Sequence, residues 1–507
     1  MVRLYRLLVG LFAATVLVRL VAFLGLVVLE VQDRGDITFP EGARVYAVRR
    51  VAAGLPLYQD FRQLPHAMVP YGPLYFYVSG WLDRALGGGP FDSYFVSRCV
   101  SFACIALLAG LCAAWASEIA GGRLRGAVIG AYAVACPVAL GPSLGVQVDS
   151  LAILVVAASL WVASRPWGTW RWSCVWLLAV VAWSTKQNSV ALAPALAAWL
   201  IHTRGWRPAA LWCAAWIAGI AIAWGVFDWS TDGLFRLNAV ISLKRPLILQ
   251  FGLNVLVTSL PFVGVGMLAA AASWPAARRS DSLALPAWWL LFAGAQGALS
   301  CFGEGGGANY LTESWIAACL LLARLLVIGP AAATTAAESA VTDPAPKATF
   351  FRATSLVLLS IGCLHDAALF FYPNFARHLV YFLNTTPAIR QAGRTPNLER
   401  FVRSYPGELL IQYPYLAVIA SRPPAVLDVL HYRLMVECGV VSVEPLVERL
   451  ERGEYEFVIL RDQIEDEYDG TRFMRWPKPV WSALRKKYFL AATVDGQFIY
   501  SPRDESK

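Results

Sequence analysis

Long apolar runs separated by short polar connections dominate the chain. Runs close to the roughly 20 residues that a helix needs to cross a bilayer occupy 7–31, 94–117, 125–142, 148–164, 172–185, 188–202, 208–227, 251–273, 284–302, 311–329 and 350–372. This pattern predicts a mainly α, polytopic membrane helix bundle with about 11 transmembrane helices. The first run is too long for the core of a cleaved signal peptide, so we expect it to be the first transmembrane helix.

Two regions depart from this pattern. The first is the long polar loop 32–93, in which residues 43–53 segregate onto two helix faces and predict an interfacial helix. The second is 373–507, where charge rises and strand-like runs at 408–412, 456–460 and 498–500 alternate with helix-like segments. We therefore divide the chain into a transmembrane domain, 1–372, and a small C-terminal α/β domain, 373–507.

Basic residues in the short connections predict the orientation. Every second connection holds two of them, and the positive-inside rule assigns these connections to the cytoplasm. The pairs are Arg3 and Arg6, Arg123 and Arg125, Arg165 and Arg171, Arg204 and Arg207, Arg278 and Arg279, and Lys347 and Arg352. The N-terminus is then cytoplasmic, and loop 32–93 and the C-terminal domain are extracytoplasmic. We expect a multi-pass protein of a bacterial cytoplasmic (inner) membrane.

Composition supports a membrane protein and narrows its partners. The chain is 58% hydrophobic and 15% charged, whereas soluble domains carry about 25% charge. Its net charge of +9 is spread thinly, so no nucleic acid is expected as a partner. The ten cysteines form no CxxC pair and the five histidines are scattered, so we expect no metal ion and no cofactor.

The first-loop carboxylates Asp36 and Glu41 are candidates for a general base. Such a group can accept the proton of an acceptor hydroxyl or amine as a glycosidic bond forms. Glu41 stands at the predicted start of helix 43–53, where a carboxylate also stabilises a helix dipole without any catalytic role. Asp36 could equally be a solvated turn residue. We favour Glu41 because it directly precedes the helix.

Several other polar residues fall on the same predicted face. Asp149 opens an apolar helix, and such an acid is either functional or paired. Lys186 and Gln187 lie in the next outer turn, where the lysine could pair with Asp149 or bind a phosphate. Lys244 and Arg245 add positive charge. The glycine-rich run 303–313 could cradle an anion with backbone N–H groups, or form a flexible turn.

Four stretches resemble a known superfamily. They are 53–60 with 70–75, which includes Tyr71; 148–154, which begins Val-Asp149; 185–187; and 306–313, which includes Asn309 and Tyr310. In this order they resemble the GT-C superfamily of polyprenyl-phosphate-sugar-dependent glycosyltransferases. The likeness is greatest to bacterial families related to protein O-mannosyltransferases and aminoarabinose transferases (glycosyltransferase family 39-like).

The resemblance implies an inverting transfer from a polyprenyl-phosphate sugar, embedded in membrane lipid, to a glycan, lipid or protein acceptor outside the cytoplasm. A first-loop acid would be the base. Lys186 with Lys244 or Arg245 would hold the donor phosphate, and Asp149 and Asn309 would shape the sugar or phosphate site. A transporter or flippase of lipid-linked sugars and a non-catalytic envelope subunit are the alternatives.

Overall fold

The computed structural model describes residues 2–31, 33, 35–36, 41–136, 145–259, 280–327, 345–366, 395–464, 468 and 475–503. Within these ranges each predicted apolar run contains a helix, because a backbone in lipid must satisfy its own hydrogen bonds, although residues 135–136 and 188–191 are not helical. The boundary expected between residues 372 and 373 lies outside the described residues.

The membrane bundle and its first loop contain fourteen described α-helices. In chain order they are α1 (Val2–Val31), α2 (Glu41–Ala52), α3 (Leu74–Ala85), α4 (Pro90–Ala120), α5 (Arg123–Val134), α6 (Val148–Ala163), α7 (Arg171–Thr185), α8 (Leu192–Arg204), α9 (Trp206–Ser230), α10 (Leu234–Ala239), α11 (Leu249–Ser259), α12 (Asp281–Cys301), α13 (Thr312–Leu322) and α14 (Ala345–Asp366). Short 3-10 turns cover Ile241–Leu243, Ala308–Leu311 and Ala323–Leu326.

Four segments of the described helices are long and apolar enough to cross a membrane unaided: Arg3–Val28, Asp92–Ala120, Trp206–Ser230 and Ser282–Cys301. The shorter apolar helices pack around them. Helix α4 contacts α5 and α6, α8 contacts α9 and α12, and α1 contacts α14. Large apolar side chains such as Trp289 and Trp315 are fully buried in this bundle. The architecture is a polytopic helical bundle, as the hydropathy pattern predicts.

The C-terminal unit is an α/β structure. It contains α15 (Pro396–Ser404), β1 (Leu409–Ile411), α16 (Pro414–Ile419), α17 (Val429–Glu437), α18 (Glu444–Glu451), β2 (Phe457–Leu460), α19 (Lys478–Lys487), β3 (Tyr488–Val494) and β4 (Gln497–Pro502). The sheet has the order β1-β2-β4-β3, with β1 and β2 parallel and the other pairs antiparallel. Three strands coincide with the predicted runs, and β3 is the strand that the pattern did not predict.

Helix α2 differs from the interfacial helix predicted over 43–53. Eight of its twelve residues are buried, because it packs against α3, α4 and α16. Gly42 permits this packing, since a Cβ there would lie 2.5 Å from the backbone nitrogen of Tyr415. The interfacial prediction is therefore wrong for most of the helix surface: the C-terminal unit covers it.

The first loop and the C-terminal unit share their cores. Val45 and Val48 of α2 cluster with Leu416 of α16, and Phe61 clusters with Leu430 of α17. Backbone hydrogen bonds also cross between them, from the N–H of His66 to the Ala425 carbonyl at 2.8 Å and from the N–H of Leu427 to the His66 carbonyl at 3.1 Å. The two regions therefore form one continuous structure above the bundle.

Candidate functional site

Glu41 lies at the start of α2, as expected, but its carboxylate is fully buried and committed to a partner. Arg98 of α4 donates to it twice, from Nε to Oε1 and from Nη2 to Oε2, both at 2.8 Å. The backbone N–H of Val146 donates to Oε1 at 2.8 Å. Since neither side chain of this ion pair reaches solvent, Glu41 joins α2, α4 and the start of α6. This geometry suits a structural role better than that of a general base.

Asp36 has a different environment: the residue as a whole is half-buried, and its Oδ2 atom is buried. The Tyr94 hydroxyl donates to its Oδ1 at 2.7 Å, whereas Oδ2 has no hydrogen-bond partner among the described residues. Burial and the nearby Glu41 carboxylate raise the pKa of Asp36 to about 7. A carboxyl group with that pKa can exchange a proton near neutral pH. Of the two predicted acids, Asp36 is thus the one whose pKa lies near neutrality.

Arg44 connects this acidic pair to the next polar cluster. It lies one helical turn after Glu41, and its Nη1 donates to the Val146 carbonyl at 3.1 Å. Glu41 and Arg44 therefore hold both backbone groups of Val146, two residues before α6 begins. The guanidinium of Arg44 also lies 5.7 Å from the centre of the Tyr71 ring. Helix α2 thus fixes the position of Asp149 relative to the first loop.

Asp149 forms a buried ion pair with Lys186 at the end of α7. The Asn309 amide also donates to Asp149 Oδ1 at 3.1 Å, and the ammonium of Lys186 lies 4.7 Å from the centre of the Tyr310 ring. Three elements that are distant in sequence, α6, α7 and the turn before α13, therefore meet at Lys186. The pairing of Lys186 with Asp149 leaves the other ammonium hydrogens for a further acceptor.

Tyr71 reaches this cluster because of the glycine that follows it. A Cβ at Gly72 would lie 2.0 Å from the Ser184 carbonyl oxygen, so only glycine allows the loop to approach α7 this closely. Burial raises the pKa of Tyr71, but the positive charges of Arg44, Lys186 and Arg245 bring it below its ordinary value. That balance indicates a region of positive potential around the Tyr71 hydroxyl.

An open cavity of about 220 Å³ lies beside Lys186. Its polar lining includes Tyr71, Lys186, Gln187, Arg245 and Tyr310, and Leu243, Leu247 and Leu299 form an apolar wall. Two buried donors, Gln187 Nε2 and Arg245 Nε, have no hydrogen-bond partner among the described residues. Since buried polar groups are almost always paired, such donors in a cationic cavity suit an anionic ligand.

A second, much smaller cavity of about 20 Å³ adjoins the first, sharing Lys186 and Tyr310. Asp149, Asn309 and Glu313 also line it, so it offers carboxylate and amide oxygens beside the Lys186 ammonium. Trp289 Nε1 donates to Glu313 at 3.3 Å. Sugar hydroxyls are donors as well as acceptors, and this lining can accept from them.

Two expectations drawn from the sequence, for Lys244 and for the glycine-rich turn, agree less well with the structure. The side chain of Lys244 is exposed and does not line either cavity. In the glycine-rich turn, several N–H groups are already occupied, because Glu304 donates to Pro246, Gly306 to Gly303 and Tyr310 to Gly307. We therefore assign the turn a scaffold role, in which it pairs with residues 246–248 at the rim of the larger cavity.

The chain was compared with known families, curated proteins and solved structures. No family model and no curated protein sequence matches it. Two crystal structures of ArnT from Cupriavidus metallidurans do match in three dimensions. For the structure bound to undecaprenyl phosphate the TM-score is 0.56 at 15% identity, over 98% of each chain. For the apo structure the TM-score is 0.57 at 14% identity, over 95% of this chain and 97% of that one.

The chain has the GT-C fold. The sequence resemblance to this superfamily is confirmed at the level of fold, and the match extends through the C-terminal unit. The described contacts and the cavity lining gather Tyr71, Asp149, Gln187, Arg245, Asn309 and Tyr310 around Lys186. Asp36, Glu41 and Lys244 line neither cavity. Among the described residues, no group of three His, Cys, Asp or Glu side chains could hold a metal ion. The expectation of a site without metal or cofactor stays a prediction.

Sequence reasoning missed three residues of this site: Arg98, Arg44 and His431. Arg98 carried a usable signal, because an arginine inside an apolar helix needs a buried partner. Arg44 stands one turn after Glu41 but looked like one of several basic residues on α2. His431 belongs to the C-terminal unit, where a polar side chain is ordinary, and its contact with Arg245 has no sequence signature.

Proposed function

We propose that the protein is an integral membrane glycosyltransferase that uses a polyprenyl-phosphate sugar and transfers the sugar, with inversion, to an acceptor outside the cytoplasm of a bacterial cell. The observation that carries the proposal is the cationic cavity with two unpartnered buried donors, Gln187 Nε2 and Arg245 Nε, close to Lys186. The GT-C fold, shared with an ArnT that binds undecaprenyl phosphate, supports this class of donor.

The donor phosphate would occupy the larger cavity. Lys186 and Arg245 supply positive charge there, and Gln187 supplies a neutral donor. The apolar wall formed by Leu243, Leu247 and Leu299 suits the start of a lipid chain, whose remainder stays in the membrane. Bonds from charged donors to phosphate oxygens are short and strong, and they strengthen as the bond to the sugar breaks and negative charge develops.

Asp36 would be the general base. It would accept the proton of an acceptor hydroxyl or amine as that group attacks the anomeric carbon. The bond between the anomeric carbon and the phosphate oxygen breaks, and polyprenyl phosphate leaves with the electron pair. A single displacement of this kind inverts the anomeric configuration. Glu41 would position Asp36 and the α6 start through Arg98, and Asp149 with Asn309 would border the sugar.

The test is cleavage of the donor by the full chain in detergent. Undecaprenyl phosphate linked to glucose, galactose, mannose or aminoarabinose is incubated with protein and membrane extract as the source of acceptor, and released undecaprenyl phosphate is measured by mass spectrometry. The wild type should release it from one donor, and Asp36→Asn should lower the rate by at least about 100-fold. Wild-type protein that consumes none of these donors, or an unimpaired Asp36→Asn variant, would contradict the proposal.

A further inference from the structure

Three side chains, linked by hydrogen bonds, connect the C-terminal unit to the larger cavity. Asp428 Oδ2 lies 2.7 Å from His431 Nδ1, and His431 Nε2 lies 2.7 Å from Arg245 Nη2. A guanidinium can only donate hydrogen bonds, so Nε2 must be the acceptor. The Nδ1 atom then carries the hydrogen and donates it to Asp428. Both ring nitrogens are used, and the partners determine the tautomer.

Asp428, the first of these three side chains, is held in place by the start of α17. Asp428 caps the start of α17, where its Oδ1 accepts the backbone N–H of His431 at 3.1 Å. Burial raises the pKa of Asp428, but His431 and Arg245 together hold it below its ordinary value, so the group stays ionised. Asp428 and His431 are both more than 90% buried. The imidazole therefore cannot turn away from Arg245 without breaking its hydrogen bond to the buried Asp428 Oδ2.

The same helix also holds the glycine-rich turn that lies beside Arg245. Arg433, two residues after His431, forms ion pairs with Glu304 of the glycine-rich turn and with Glu437, the latter at 3.0 Å. The Glu304 carbonyl is in turn 3.4 Å from Arg245 Nη1. Helix α17 of the C-terminal unit thus orients Arg245 and fixes the turn beside it.

An imidazole suits this position because it orients the guanidinium without neutralising it. A carboxylate in direct contact with Arg245 would compete with an anionic ligand for the same charge. His431 instead accepts one hydrogen bond from Nη2 and leaves the full positive charge. Arg245 Nε, which lacks a partner among the described residues, also stays free to donate into the cavity.

We propose that His431, supported by Asp428, is a positioning residue that holds Arg245 ready for the phosphate of the lipid donor. The inference rests on the proposed function, because it names the phosphate as the ligand of Arg245. It also gives the C-terminal unit a role: it completes the donor site from outside the membrane. A long arginine side chain held in its binding orientation loses less conformational entropy when the ligand arrives.

The experiment measures equilibrium binding of undecaprenyl phosphate to the detergent-solubilised full chain. His431→Leu removes the acceptor and should weaken binding about tenfold, the effect of one well-placed hydrogen bond to a charged group. In His431→Gln the amide oxygen can still accept from Arg245, so most of the affinity should return. In an Arg245→Met background, His431→Leu should cause no further loss, because the two side chains act as one unit.

Arg49→Met is the matched control. Arg49 also joins the first loop to the C-terminal unit, through the Val418 carbonyl at 2.7 Å, but it does not line the cavity. Its removal should leave the affinity unchanged, and melting temperatures of all variants identify unfolded protein. If Arg245→Met weakens binding while His431→Leu does not, the positioning role is overturned and the proposed function survives. If the wild type binds no undecaprenyl phosphate, both are overturned.

Discussion

Two carboxylates five residues apart in the first loop have opposite environments. Glu41 is fully buried, and both of its oxygens accept hydrogen bonds from Arg98. Asp36 is half-buried as a residue and accepts a hydrogen bond from Tyr94. Its own burial and the nearby Glu41 carboxylate raise its pKa. The sequence could not separate them, since the partner of Glu41 is 57 positions away.

The raised pKa of Asp36 predicts how activity depends on pH. A base must be unprotonated, and this carboxyl group, with a pKa of about 7, loses its proton only as the pH rises through neutrality. We expect kcat/KM to be constant above about pH 8 and to fall about tenfold per unit below about pH 6. Donor-cleavage rates between pH 5 and pH 9 measure this. A flat profile across the range would indicate a base with an ordinary carboxyl pKa and exclude Asp36.

Breaking the ion pair between Glu41 and Arg98 should lower the stability of the fold, in addition to any effect on activity. Glu41→Gln leaves a buried guanidinium without its counter-charge, which typically costs about 3–5 kcal/mol. We expect a clear fall in melting temperature and in the yield of folded protein. Glu118→Gln is the control, because Glu118 pairs with Arg165 at an exposed site, where the expected loss is below about 1 kcal/mol. A stable Glu41→Gln variant without activity would restore Glu41 as the base.

At the scale of elements, the approach of the first loop to α7 depends on one glycine. In Gly72→Ala the new methyl carbon would overlap the Ser184 carbonyl, which lies 2.0 Å from the Cβ position. Overpacking of this kind typically costs about 1–3 kcal/mol, and the loop must move Tyr71 away from Lys186. We expect weaker binding of undecaprenyl phosphate and a lower melting temperature.

Gly110→Ala in α4 is the control for this substitution, since nothing lies within 4 Å of a Cβ there. It should leave both quantities unchanged, or raise the melting temperature slightly through better helix propensity. Equal behaviour of the two variants would show that the close contact at Gly72 is unimportant for the cavity.

The sequence predicted the helices and strands better than it predicted which side chains lie close together. Membrane helices follow from apolar runs because lipid imposes a minimum length, and β1, β2 and β4 follow from short strand-like runs in the polar C-terminal region. Strand β3 was missed because most of its side chains, including Phe489 and Leu490, are exposed, so no alternation marked a buried face. Lys186, Gln187 and Arg245 were selected because they lie in connections that the pattern of basic pairs assigns to the outer face. Their mutual distances depend on packing that no local pattern contains.

At the scale of the molecule, the shared cores predict that the first loop and the C-terminal unit unfold locally as one cooperative unit. The amides of His66 and Leu427 belong to one backbone pairing, so disruption of either side exposes both. In hydrogen–deuterium exchange of the full chain in detergent, peptides covering 61–70 and 425–435 should exchange at similar, slow rates. Fast exchange of 61–70 beside a protected 425–435 would mean that the loop moves independently of the C-terminal unit.

The pairing of residues 66–67 with 425–427 also has a consequence for biosynthesis. The loop is translated roughly 360 residues before its partner, which at about 5–20 residues per second is a delay of about 20–70 s. During that time the face of α2 that packs against α16 is uncovered, and Arg245 lacks its contact with His431. A nascent or prematurely terminated chain would therefore insert its helices yet lack a finished cavity. The cavity can be completed only after residues 425–435 have left the ribosome.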